Sequence, residues 1–123
     1  MSPRSEEFML EARSRLAAAR KYAREFPAVA LSTAYYAMLY AARAALSEED
    51  RYAKTHSGTW VLFRETFVAT QRVDPNLVSQ AERTLELRLG ADYDADTVDQ
   101  GQAQAAIELA ELFLAAVDEL YPD

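Results

Sequence analysis

The twenty residues from Pro27 to Leu46 carry a single charge, Arg43, and this stretch limits what the chain can become. Wound at about 100° per residue, Ala30, Ala34, Ala37, Ala41 and Ala44 fall into one narrow stripe of small side chains. Leu31, Tyr35, Met38, Leu39, Ala42 and Leu46 fill a second, bulkier arc. Ser32, Thr33, Tyr36, Tyr40 and Arg43 make up the polar seam that remains. A helix that is apolar on nearly every side has to be surrounded by protein or lipid. Its alanines, three tyrosines, two hydroxyl residues and one arginine make it less hydrophobic than a leucine-rich membrane span. The expectation is a buried core helix around which everything else is arranged.

The rest of the chain supplies the surroundings. At 123 residues it is long enough for one domain, taken as residues 1–123, with a real core. Half of it is apolar, and only three glycines and four prolines interrupt a composition rich in helix formers. Phe8, Ala12, Leu16, Ala19 and Ala23 recur at helical spacing over residues 5–25, and Phe26-Pro27 ends that helix because a residue before proline leaves the α region. Thr55-His-Ser-Gly opens a third helix, capped by Thr55 or Ser57, with Trp60, Phe63 and Phe67 inward. Asp74-Pro75 starts a fourth, with Leu77, Val78, Ala81, Leu85 and Leu89 inward and Gly90 as its stop. A fifth begins near Thr97-Val-Asp-Gln100, capped by Thr97 or Asp99, and buries Ala103, Ala106, Ile107, Ala110, Leu114 and Val117. Nothing alternates like a strand. The fold class is therefore all-α, an up-and-down bundle of about five helices.

Charge and residue inventory narrow the function. The formal net charge is −7, yet all thirteen lysines and arginines lie in residues 1–88 against eleven acids, a local balance of +2. Residues 89–123 hold nine acids and no base. The overall field disfavours nucleic acid, while an arginine cluster in the first part can still attract phosphate. The absence of cysteine removes disulfides and thiolate metal sites, and a reducing cytoplasm is the default compartment. The first residues are charged and carry no signal-like apolar core.

Four constellations can carry chemistry. Arg43, on an otherwise buried helix, needs an acceptor such as a carboxylate, a phosphate or a carbonyl, and Tyr36 and Tyr40 lie on its face. His56 is the only histidine, so no histidine-based metal cluster can form, and a helix-start histidine bonded to backbone is its plain structural role. Asp92, Asp94 and Asp96 lack the glycine and glutamate that a calcium loop requires at its sixth and twelfth positions, where Thr97 and Ala103 stand. Arg88, Asp92 and Tyr93 put a cation, an acid and a phenol just past a helix end. No metal and no cofactor is expected.

Three blocks carry a resemblance: Tyr35-Tyr-Ala-Met-Leu-Tyr-Ala-Ala-Arg43, Lys54-Thr-His-Ser-Gly58 and Arg88-Leu-Gly-Ala-Asp-Tyr-Asp94. In order and spacing they resemble the HEPN superfamily (higher eukaryotes and prokaryotes nucleotide-binding domain), in its small stand-alone prokaryotic branch, over about residues 8–120. The resemblance implies a helical bundle that forms a homodimer and is paired with a minimal nucleotidyltransferase in toxin–antitoxin-like systems. Many HEPN proteins are metal-independent ribonucleases that use an Arg-x(4–6)-His motif; Arg88 matches the arginine, Tyr93 stands where the histidine would first fall, and no histidine follows. Phenol is a poor base near neutral pH. The leading expectation is therefore a dimeric binding module for a nucleotide or RNA phosphate, with Tyr36, Tyr40, Arg43, His56, Arg88, Asp92 and Tyr93 as ligand-binding residues. The alternatives are an endoribonuclease toxin using Arg88 with Tyr93 or His56, and a structural helper subunit without ligand.

Overall fold

In the computed structural model the chain forms five α-helices: α1 (Pro3–Tyr22), α2 (Pro27–Glu48), α3 (His56–Phe63), α4 (Pro75–Tyr93) and α5 (Gln100–Leu120). The structure describes residues 1–93 and 97–122, and the side chains of Asp92 and Tyr93 fall outside that description. No strand occurs among the described residues. Helix α2 packs on α1, α5, α4 and α3, so the nearly uncharged stretch is the central element of the bundle.

The burial of α2 follows its two apolar arcs residue by residue. Ala30, Ala34, Ala37, Ala41 and Ala44 are fully buried, as are Leu31, Tyr35, Met38, Leu39, Ala42 and Leu46. Ser32, Thr33, Tyr36, Tyr40 and Arg43 are half-buried, which makes the polar seam the one side of α2 in contact with solvent. Small side chains bring backbones close, and α1 makes the more extensive packing against this helix. A ring cluster of Trp60, Phe63, Phe67 and Phe113 fills the space between α3 and α5, with centroids 4.7–6.1 Å apart.

Local chemistry fixes the ends. The Thr55 hydroxyl accepts from the Gly58 amide and caps α3. Asp74 accepts from the Asn76 amide just before Pro75 opens α4. The α5 cap is Asp99, not Thr97: its carboxylate accepts from the Gln102 amide, and the Gln102 side chain accepts from the Asp99 amide. Asp50 sits in the left-handed region at φ 56° and turns the chain out of α2.

Other differences from expectation have physical causes. Helix α1 begins at Pro3 and ends at Tyr22, because Ser2 caps it, and it buries Met9 while Phe8 is only half-buried. Gly90 does not stop α4, which continues to Tyr93; glycine weakens a helix without ending it unless the chain turns left-handed there. Leu89 is exposed, since the inward row of α4 runs through Val78, Ala81 and Thr84. The third helix changes to π-helical winding over Arg64–Val68, where Thr66 returns a hydrogen bond to the Leu62 carbonyl and Arg51 donates to the Thr66 hydroxyl.

Candidate functional site

The seam of α2 is where the polar side chains converge. Arg88 reaches across from α4, its Nε donating to the Ser32 hydroxyl at 3.0 Å and a terminal nitrogen donating to the Tyr36 hydroxyl at 3.0 Å. Its guanidinium carbon lies 4.9 Å from the Tyr36 ring centroid. The His56 ring meets Tyr36 edge-on, with centroids 5.6 Å apart. Tyr36 thus joins a cation from α4 to the histidine at the start of α3.

His56 owes its place to local sequence. The Thr55 cap turns the chain into α3, and the Arg43 guanidinium donates to the Lys54 carbonyl at 3.2 Å, tying the connection to α2. A Cβ on Gly58 would come within 2.7 Å of the Thr55 hydroxyl, so glycine here keeps the cap in position. Among the described residues the histidine side chain bonds to a tyrosine hydroxyl and not to backbone as expected. Its Nδ1 lies 3.3 Å from the Tyr35 hydroxyl, which also accepts from the Trp60 indole N–H at 3.0 Å. Tyr35 has no exposed surface, so its hydroxyl had to find polar partners inside the protein.

The electrostatics follow. Burial first, then the positive charges of Arg43 and Arg88, hold the His56 pKa below its ordinary value and favour the neutral ring. Burial likewise raises the Tyr35 phenol, keeping it protonated. Arg43 spends one nitrogen on Lys54 and packs its guanidinium 5.7 Å from the Tyr52 ring centroid, while its buried Nε has no hydrogen-bond partner among the described residues. A buried unpaired cationic donor is costly, and an anion would satisfy it.

Of the expected site residues, Tyr36, His56 and Arg88 come together, and Arg43 adjoins them beside His56. Tyr40 lies one turn further along α2, between Phe8 and Tyr36, with the Arg15 guanidinium 5.4 Å from its centroid. Asp92 and Tyr93, with the Asp94–Asp96 link, fall on residues whose side chains are outside the description. Sequence reasoning missed Tyr35 and Trp60, which look like core; Ser32 was read only as part of the seam, and Arg15, on α1, carries no sequence signal for its place over Tyr36 and Tyr40. No group of acids and histidines able to hold a metal ion occurs among the described residues. None of the described helices is long and apolar enough to cross a membrane.

An all-α bundle whose central helix carries a tyrosine–arginine seam, with a histidine delivered to it by the next helix, defines a narrow class of domain. Residues 5–120 match the HEPN domain family, and the chain belongs to that family. It is 34% identical over 112 residues to the UPF0332 protein glr0978 of Gloeobacter violaceus, covering 90% of this chain and 89% of that protein. It is 31% identical over 94 residues to the candidate toxin MJ0142 of Methanocaldococcus jannaschii, covering 76% of this chain. That alignment spans 64% of the archaeal protein's length.

Proposed function

We propose that this HEPN domain is a binding module that receives a phosphate group, from a nucleotide or an RNA, against Arg43, His56 and Arg88, with Tyr36 and Ser32 at its rim. The observation that carries this reading is the buried Nε–H of Arg43, without a partner among the described residues, beside a histidine that a second arginine also approaches. Two permanent cations and a neutral imidazole offer an oxyanion charge and directed donors together. The toxin name of the archaeal relative, and the nucleotide- and RNA-linked character of the family, support a place in a toxin–antitoxin-like pair. In this reading the module is a homodimer and its partner a minimal nucleotidyltransferase.

The test is thermal melting with AMP and with inorganic phosphate. A ligand bound only by the folded state raises the melting temperature with concentration. The rise should disappear in Arg43→Ala and Arg88→Ala; no rise in the wild type would leave the structural-helper alternative standing. Sizing of the purified protein and co-purification with a nucleotidyltransferase encoded beside it examine the assembly separately.

An endoribonuclease reading has one observation in its favour, the neutral His56 close to Arg88. Degradation of RNA by the purified protein, abolished by Arg88→Ala in a folded bundle, would replace the binding-module reading.

A further inference from the structure

The hydrogen bonds around His56 specify which of its nitrogens carries the proton. The Trp60 indole N–H can only donate, so the Tyr35 oxygen accepts from it at 3.0 Å. The single Tyr35 proton is then left to find an acceptor, in a side chain with no solvent exposure. His56 Nδ1, at 3.3 Å, is the one other polar atom on that hydroxyl among the described residues. The reverse arrangement, Nδ1–H donating to Tyr35, would strand a buried O–H, which costs on the order of 1–3 kcal/mol. Nδ1 is therefore the acceptor, and in the neutral ring the proton resides on Nε2.

From this we infer that Tyr35 is a positioning residue: backed by Trp60, it locks His56 as the Nε2–H tautomer, so that the half-buried ring offers an oxyanion one fixed hydrogen-bond donor. The same logic covers the rim. Arg88 donates to both the Ser32 and the Tyr36 oxygens, which leaves each hydroxyl a proton of its own to donate outward. The seam is thereby biased towards donors. Such a site takes a fully ionised phosphoryl or sulfate group, whose oxygens only accept. It also withholds the imidazole lone pair that a general base would need, which separates binding from strand cleavage. The inference rests on the phosphate-site reading for its ligand, while the tautomer stands or falls without one.

Among the described residues, the charged and titratable groups that face His56 are Tyr35, Tyr36 and Arg43 from α2 and Arg88 from α4. His56 is the only histidine of the chain, so its nitrogens can be read without assignment by long-range 1H–15N correlation on labelled protein at pH 7.5. The expected spectrum is a single Nε2–H tautomer, with Nδ1 at the shift of a hydrogen-bonded acceptor. An Nδ1–H pattern, or an even mixture, would overturn the inference.

Tyr35→Phe should give a mixed-tautomer spectrum and move the His56 titration midpoint up towards its ordinary 6.5. Binding of inorganic sulfate, whose charge is constant over this range, should follow that same upward shift. A variant with unchanged tautomer and midpoint would remove the positioning role. Should Tyr35→Phe fail to fold, the wild-type spectrum still decides the lock, since an Nδ1–H pattern or an even mixture removes it. A clean Nε2–H spectrum with no sulfate binding would overturn the anion-site reading and leave the tautomer assignment standing.

Discussion

Arg88 and Tyr36, 52 positions apart in the chain, are joined by a 3.0 Å hydrogen bond and by the approach of the guanidinium to within 4.9 Å of the ring centroid. The pair fastens α4 to the only polar side of the central helix. It has two separable consequences, one for stability and one for ligand capture. Arg88→Ala should lower stability by about 1.5–3 kcal/mol, the range for hydrogen bonds to a charged group. It should also flatten the phosphate-dependent rise in melting temperature. Urea denaturation with and without phosphate reads both, and a variant that melts lower yet keeps the full ligand response would take Arg88 out of the site.

Gly58 is constrained by a neighbour, not by its own backbone angle. Because a Cβ would stand 2.7 Å from the Thr55 hydroxyl, Gly58→Ala should displace the α3 cap at a cost of about 1 kcal/mol. The same displacement should disturb the ring position of His56, the next residue after the cap. A changed His56 shift accompanied by a modest loss of stability is the expected result; a variant as stable as wild type would show that the cap relaxes freely.

The alanine stripe of α2 predicts where the bundle has no slack. Ala37 is fully buried on a helix that packs against α1, α3, α4 and α5. Ala37→Leu should destabilise by about 1–3 kcal/mol through overpacking. Thr33→Leu, on the half-buried seam of the same helix, should cost much less. Equal urea midpoints for the two variants would contradict this layout.

Acid should weaken the fold in two separate windows. The folded pKa of His56 lies below the unfolded value of 6.5, so the unfolded chain takes up this proton first. Its contribution is complete above pH 6.5 and is lost as pH falls from there to the folded value. Glu48 accepts from the Ser2 amide, foremost, and from the Ser5 hydroxyl, which holds its carboxyl below 4.5. That contribution is present above pH 4.5 and is lost as pH falls through the lower folded value. Urea midpoints across pH 3–8 should lose the upper step in His56→Gln and show a smaller lower step, which Glu49 shares, in Glu48→Gln. A His56→Gln profile that superimposes on the wild type would refute the assignment of the upper window.

The extent to which the sequence foretold these features depends on the range of the interaction. The two arcs and the seam of α2 are local consequences of helical spacing, and burial follows them residue by residue. Caps were legible to within two residues: Thr97 and Asp99 each have a glutamine three positions on, and the helix uses Asp99 with Gln102. The π-helical winding at Arg64–Val68 was not legible, since it answers to Thr66 and Arg51 from another segment. Nor was the Trp60–Tyr35–His56 chain, which links two residues with the pattern of core and one with the pattern of a helix start. Arg88 could be singled out by its block, but its landing on Ser32 and Tyr36 is a property of how α4 crosses α2.

That α2 is at once the most buried helix and the bearer of the seam has a consequence for hydrogen exchange. In many proteins binding residues sit on segments that open locally while the core stays closed. Here the backbone under Tyr36 and Arg43 is the same backbone that buries Tyr35, Ala37 and Ala42. The amides along the middle of α2 are therefore expected to exchange only through global unfolding. A ligand held on the seam would slow every slow-exchanging amide of the bundle by one common factor.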